Sequence, residues 1–186
     1  MVIGGSGMRG SRYVRLCVGL GLLVSLQLVS LQVFAVEKGD IAPDFMLPSL
    51  VETSFVTLSD YRGKVVFLDF WSAWCAPCRE SLPRLAKMRN SLPSEHFELV
   101  SIDVDVDPQD ALKFISSIAS SVAMNHPVAM DPGATTVNLY RYTSLPSSYL
   151  INQDGIIEQV HANFQAADVD GLKAEISRLI NLQYEG

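Results

Sequence analysis

Val65-Val66-Phe67-Leu68-Asp69-Phe70-Trp71 runs into Ser72-Ala73-Trp74-Cys75-Ala76-Pro77-Cys78, and this stretch decides how the rest of the chain is read. Its first half is apolar except for Asp69. A short, nearly unbroken apolar run of this kind belongs to a central strand covered on both faces. Pro77 stands where the first turn of a helix needs no N–H. A helix is therefore expected from about 76 to 91, directly after the strand. Pro83 lies inside it and frees a carbonyl one turn back, which predicts a kink. The two cysteines thus stand at a strand-to-helix junction, two residues apart.

Working outward, Gly39-Asp40-Ile41-Ala42-Pro43-Asp44-Phe45 is a turn-rich lead-in, and Phe55-Val56-Thr57-Leu58 reads as a short strand before Ser59-Asp60 and Arg62-Gly63. Residues 97–104 read as the strand after the helix. Asp107-Pro108 combines an N-cap with a first-turn proline and starts a helix to about 120. Asp131-Pro132 repeats that signal for a shorter helix toward 142. Residues 148–151 and 156–160 flank Gln153-Asp154-Gly155, a hairpin signal. A last helix is expected over about 167–182. The order β-α-β-α-α-β-β-α calls for an α/β domain with a mixed central sheet and helices on both faces.

The chain of 186 residues has room for one such domain and a short extra segment, and its hydrophobic fraction of 48% supports a sizeable core. The extra segment is at the front: Arg9, Arg12 and Arg15 precede an apolar run over 16–35. That is the layout of an export signal cut after Ala35. The run is also near the ~20 residues that span a bilayer, so a membrane anchor through 16–35 fits too. Residues 1–35 are read as a signal peptide or anchor and 36–186 as the domain, with Met1 or Met8 as the start. A buried core helix fits less well, since no acidic residue and no amphipathic period occur before Glu37. All 20 acidic residues lie beyond residue 35 and three of the 14 basic ones before it, so the remainder carries 11 minus 20, or −9. Such a surface argues against nucleic acid or anionic lipid as a partner.

Two cysteines spaced Cys75-Ala76-Pro77-Cys78 can bring both sulfurs together within one helical turn. Cys75, at the helix start, meets unpaired N–H groups and the positive end of the macrodipole. That lowers a thiol pKa and makes the sulfur a nucleophile at neutral pH. Cys78, one turn inside, suits the resolving role in a two-step disulfide exchange. A structural bridge over so short a loop would constrain the unfolded chain little. Half of a zinc site would want two further ligands, and His96, His126 and His161 form no pair with the needed spacing.

Phe70-Trp71-Ser72-Ala73-Trp74-Cys75-Ala76-Pro77-Cys78 resembles the active site of the thioredoxin superfamily. More narrowly, Gly39 to Phe45, Leu58 to Lys64, Asp131-Pro132 and Leu145 to Gly155 resemble, in the same order, the extracytoplasmic TlpA/ResA branch related to AhpC/TSA proteins. The resemblance covers roughly 39–161. It implies a thioredoxin fold with an N-terminal strand extension and a redox disulfide between Cys75 and Cys78, with no organic cofactor and no metal. It makes Pro146 the family's cis-proline facing the disulfide, and Leu145 a donor and acceptor of backbone hydrogen bonds to a client segment. Without it, Pro146 reads as an ordinary trans loop proline. Asp69 matches the buried acid of thioredoxin, whose burial raises its pKa and lets it take the proton of Cys78; a satisfied strand-end carboxylate is the plainer alternative. The lysine that often accompanies this acid is absent, and Ser101 stands near its place. Trp74 reads as a cover for Cys75 and a flat contact surface, Trp71 as core. Where the branch often has a glutamate three residues after the second cysteine, this chain has Ser81. Glu80 stands one residue earlier on another helix face.

The reading reached is a periplasmic or otherwise extracytoplasmic thiol-disulfide oxidoreductase, acting mainly as a reductase on protein disulfides. An oxidising compartment already closes exposed thiol pairs, so a dedicated protein is useful chiefly for reopening them. The resemblance implies a membrane thiol-transfer protein as electron donor, and clients among apocytochrome c thiols (cytochrome c maturation), copper-site assembly proteins or thiol repair. Two other classes stay open. A peroxidase of the peroxiredoxin type shares Ala42-Pro43-Asp44-Phe45 but has a lone peroxidatic cysteine after a threonine. A non-catalytic module would hold a metal or partner through its thiols.

Overall fold

The run 65–71 forms the middle of the sheet because every one of its side chains is covered. The computed structural model describes residues 35–182, so all but the last residue of the expected export or anchor segment lies outside the described residues. In chain order the elements are β1 (Met46–Pro48), β2 (Phe55–Thr57), β3 (Val65–Trp71), α1 (Ala76–Asn90), β4 (Phe97–Asp103), α2 (Pro108–Ile118), β5 (Val128–Met130), α3 (Thr135–Tyr140), β6 (Ser147–Ile151), β7 (Ile157–Ala162) and α4 (Val169–Leu182). The main sheet has the order β5-β4-β3-β6-β7. Strands β3, β4 and β5 are parallel, while β6 and β7 run antiparallel. Strands β1 and β2 form a separate antiparallel pair, the N-terminal strand extension.

Successive residues of a strand face opposite sides, and β3 divides accordingly. Val66, Leu68 and Phe70 pack with Phe45, Leu47, Val56 and Tyr140 on the face covered by the lead-in and α3. Val65 and Phe67 pack with Leu85 of α1 and Ile176 of α4 on the other. Trp71, on that second face, joins Cys78, Leu82 and the α2 residues Ala111 and Phe114. Each such fully buried Leu or Phe contributes about 1.5–3 kcal/mol through removal of apolar surface from water. The expected mixed sheet with helices on both faces is the fold observed.

Local signals placed most elements. Asp107 caps α2 by accepting from the Gln109 N–H at 2.9 Å, and Gly155 turns the β6–β7 hairpin with φ +83°. Helix α1 runs on through Pro83 as one element. The start expected at Asp131-Pro132 needs correction. Residues 131–134 make a turn closed by the Ala134 N–H on the Asp131 carbonyl at 3.1 Å, and α3 begins at Thr135. The Asp131 carboxylate still caps it, accepting from the N–H groups of Thr135 (2.9 Å) and Thr136 (2.7 Å). Strands β1 and β5 were not expected from the sequence: each has three residues, too few to show a period.

Candidate active site

Strand β3 ends at Trp71, the chain turns through Ser72-Ala73-Trp74, and Cys75 becomes the N-cap of α1. Its sulfur accepts from the Cys78 N–H at 3.3 Å. One of the helix's unpaired donors is thereby aimed at the atom expected to carry negative charge. Cys75 and Cys78 are joined by a disulfide, with Cα atoms 5.2 Å apart, inside the range that such bridges need. Cys78 is wholly buried, whereas Cys75 keeps 4% of its surface. Trp74, immediately before it, is 73% exposed, while Trp71 is fully buried. The aromatic pair thus divides into a surface residue and a core residue.

Asp69 lies on β3 two residues before Trp71, so it shares the sheet face against which Cys78 and Leu82 pack. It is fully buried, and burial pushes its pKa up to about 7 against the lowering effect of a hydrogen bond from Ser148. That bond, Ser148 Oγ to Asp69 Oδ1, is 2.7 Å long, and Asp69 Oδ2 has no donor. Ser148 stands directly across the antiparallel β3–β6 pair from Asp69. On the other side Ser101 stands across from it on β4, and its hydroxyl is 3.1 Å from His126 Nε2. Burial and the charge of Arg89 hold His126 down at about 3, so it stays neutral. His161 is in edge-on contact with Phe67, and burial lowers its pKa as well. Both histidines therefore stay out of the acid–base set.

The Leu145–Pro146 peptide bond is cis. Leu145 packs against the cluster that contains both cysteines, and Pro146 is buried beside it. Pro146 uses its carbonyl for the Asn163 N–H at 2.9 Å, whereas the backbone of Leu145 makes no hydrogen bond among the described residues. Ser81 is buried and donates to the Cys78 carbonyl at 3.3 Å, and Glu80 is exposed on α1. Two residues that sequence reasoning passed over complete the surroundings. Ser148 is a polar residue in a buried strand, a signal that could have found it. Asp105 accepts from the Ala73 N–H at 2.8 Å, and nothing local marks it. A cavity of about 410 Å³ opens beside this loop, bounded by Trp74, Arg79, Asp105, Lys113 and Phe114.

Residues 38–160 match the AhpC/TSA family. The chain is similar to the thiol-disulfide oxidoreductase ResA of Geobacillus kaustophilus, 32% identical over 126 residues, which are 68% of this chain and 70% of that one. ResA of Bacillus subtilis is 30% identical over 126 residues, 68% of either chain. Among solved structures, a candidate thiol:disulfide interchange protein DsbE from Chlorobium tepidum superposes with a TM-score of 0.71 at 38% identity, covering 78% of this chain and 99% of that one. A candidate protein disulfide isomerase from Bacteroides thetaiotaomicron gives 0.67 at 27% identity, over 80% and 95%.

Proposed function

The chain belongs to the AhpC/TSA family and is a thioredoxin-fold, ResA-like thiol-disulfide oxidoreductase acting on protein thiols and disulfides; from that premise we propose an extracytoplasmic protein-disulfide reductase in which Cys75 attacks and Cys78 resolves. The observation that carries the assignment of roles is the position of Cys75. It caps α1, receives the Cys78 N–H, and keeps some exposed surface next to the exposed Trp74, while Cys78 has none.

In the reduced protein the Cys75 thiolate attacks one sulfur of a client disulfide, and the other client sulfur leaves as a thiolate. Asp69 then takes the proton of Cys78, whose sulfur attacks Cys75 Sγ and expels the client's second thiol. Two electrons pass to the client, and Cys75 and Cys78 end as the disulfide. Leu145, with its free backbone groups ahead of the cis bond to Pro146, suits a client strand laid beside the site. Trp74 supplies an apolar contact surface. A membrane thiol-transfer protein is the proposed electron donor.

The extracytoplasmic location rests on the arginines and apolar run before residue 36. Among the described residues no helix is long and apolar enough to cross a membrane. Client proteins for cytochrome c maturation fit the branch that the chain resembles.

Trapping tests the roles. Cys78→Ser is expected to accumulate clients as mixed disulfides on Cys75, identifiable by mass spectrometry, and Cys75→Ser to trap none. Direction is read by acid-quenching intact cells and labelling thiols. A pair found almost wholly oxidised while the membrane donor is present would overturn the reductase reading.

A further inference from the structure

We propose that Asp105 is a positioning residue for the nucleophile: its carboxylate, steadied by Asp103, anchors the loop that presents Cys75. The inference deepens the proposed function and rests on Cys75 being the attacking thiol. Three backbone ties hold the stretch between β3 and α1. The Val104 N–H reaches the Trp71 carbonyl at 3.0 Å, and the Cys75 N–H reaches the Ser72 carbonyl at 3.2 Å. The third is the Ala73 N–H on Asp105 Oδ2 at 2.8 Å. Among the described residues it is the only hydrogen bond that the backbone of this stretch makes to a side chain. It spans 32 residues of sequence, about as many as the Val104–Trp71 tie.

A carboxylate makes a stronger acceptor than a neutral oxygen, and more so away from water. Asp105 is 3% exposed and Asp103 wholly buried. Burying two adjacent acids costs free energy that a strand end does not require, since neutral side chains would cap it as well. Asp103 ends β4, and its Oδ1 accepts the Asp105 N–H at 3.3 Å, while its Oδ2 is buried without a donor. Burial and the neighbouring Asp105 carboxyl push Asp103 up to about 8. Asp103 therefore keeps its proton near neutral pH. That arrangement leaves Asp105 free to accept from Ala73.

Among the described residues no cation pairs with Asp105. Lys113 of α2 is paired with Asp110 at 3.2 Å, and Arg79 of α1 lies over the Phe114 ring at 5.6 Å. The Asp131 N–H, arriving from the β5 side, is taken by the Asp103 carbonyl at 2.8 Å. Among the described residues the Ala73 N–H is thus the one donor from which the Asp105 side chain accepts.

The test uses the reduced full chain, with timed alkylation of Cys75 followed by mass spectrometry, and the equilibrium with glutathione. Asp105→Ala is expected to slow Cys75 alkylation about tenfold and to shift the glutathione equilibrium constant comparably, because small misplacements of a reacting group cost such factors. Asp105→Asn keeps an acceptor oxygen and is expected to stay within about threefold of wild type. Wild-type rates in Asp105→Ala overturn the proposal, as does equal loss in both variants. If the alanine variant does not fold, hydrogen exchange in the wild type decides: the Ala73 amide is expected to be protected about a hundredfold or more, and free exchange there overturns the anchor. Cys78 reacting before Cys75 in the wild type would instead strike the assignment of the nucleophile, so the two failures are distinguishable.

Discussion

Asp69 lies two residues before the end of β3 and Asp103 ends the neighbouring parallel strand β4, with Asp105 just beyond it, and the proposed roles of Asp69 and the Asp103–Asp105 pair differ. Asp69 is alone. Its one hydrogen bond comes from Ser148, its second oxygen is bare, and its pKa rises from the ordinary 3.8 to about 7. Asp105 lies two residues beyond β4, has a carboxyl neighbour, and spends its charge on a backbone N–H. Both acids are buried, so burial does not decide the role. What separates them is the donor: a side-chain hydroxyl for Asp69, a loop backbone N–H for Asp105. On the proposed roles, a carboxylate that holds a loop N–H acts as a tether, and one with a bare second oxygen and a raised pKa can gain and lose a proton near neutral pH.

The largest effect expected from breaking this contrast is kinetic. Asp69→Asn should slow decay of the mixed disulfide on the order of 100-fold, because an amide cannot accept the Cys78 proton. Asp105→Asn should leave that step nearly unchanged. Stopped-flow decay of a preformed mixed disulfide measures both. Equal rates for wild type and Asp69→Asn would return Asp69 to a structural role.

The next effect is on stability, and its sign follows from the raised pKa. Between about pH 4 and 7 the folded chain holds a proton on Asp69 that the unfolded chain has lost. The contribution of Asp69 to stability is therefore complete below pH 4 and is lost as pH rises through 7. The loss is a few kcal/mol at most, at about 1.4 kcal/mol for each pH unit of displacement. Denaturant titrations at pH 5 and pH 8 should show Asp69→Asn gaining on wild type at the higher pH. A constant difference across that range would contradict the raised pKa.

Ser148→Ala sharpens the comparison by making Asp69 lonelier still. Without the donated O–H the Asp69 carboxylate loses its one hydrogen bond among the described residues, so the pH at which resolution accelerates should move up by about one unit. The pH profile of mixed-disulfide decay reads this directly. The smallest effect belongs to Asp103→Asn, whose amide oxygen can still accept the Asp105 N–H and whose neutral side chain matches the protonated Asp103. Cys75 alkylation at pH 7 is expected to stay within about twofold of wild type, as for a substitution that preserves its contacts.

Much of this was legible in the chain because it depends on neighbours in sequence. The cysteine pair, Pro77 and the apolar run before them are adjacent, and strand-to-helix geometry with a capped thiol follows from their spacing. Asp107-Pro108 and Gln153-Asp154-Gly155 are likewise local, and both marked real element boundaries. Asp131-Pro132 looked the same as Asp107-Pro108, yet its helix begins at Thr135, since the backbone first closes a turn that the dipeptide does not reveal. The sequence alone thus determined the fold class, the reactive pair and the general chemistry. Only the tertiary structure decided which polar residues surround that pair. Ser148 reaches Asp69 across 79 residues, Asp105 reaches Ala73 across 32, and His126 reaches Ser101 across 25. Such contacts are set by strand register and by the packing of α2 over the sheet, and a buried donor finds its acceptor there whatever the distance along the chain.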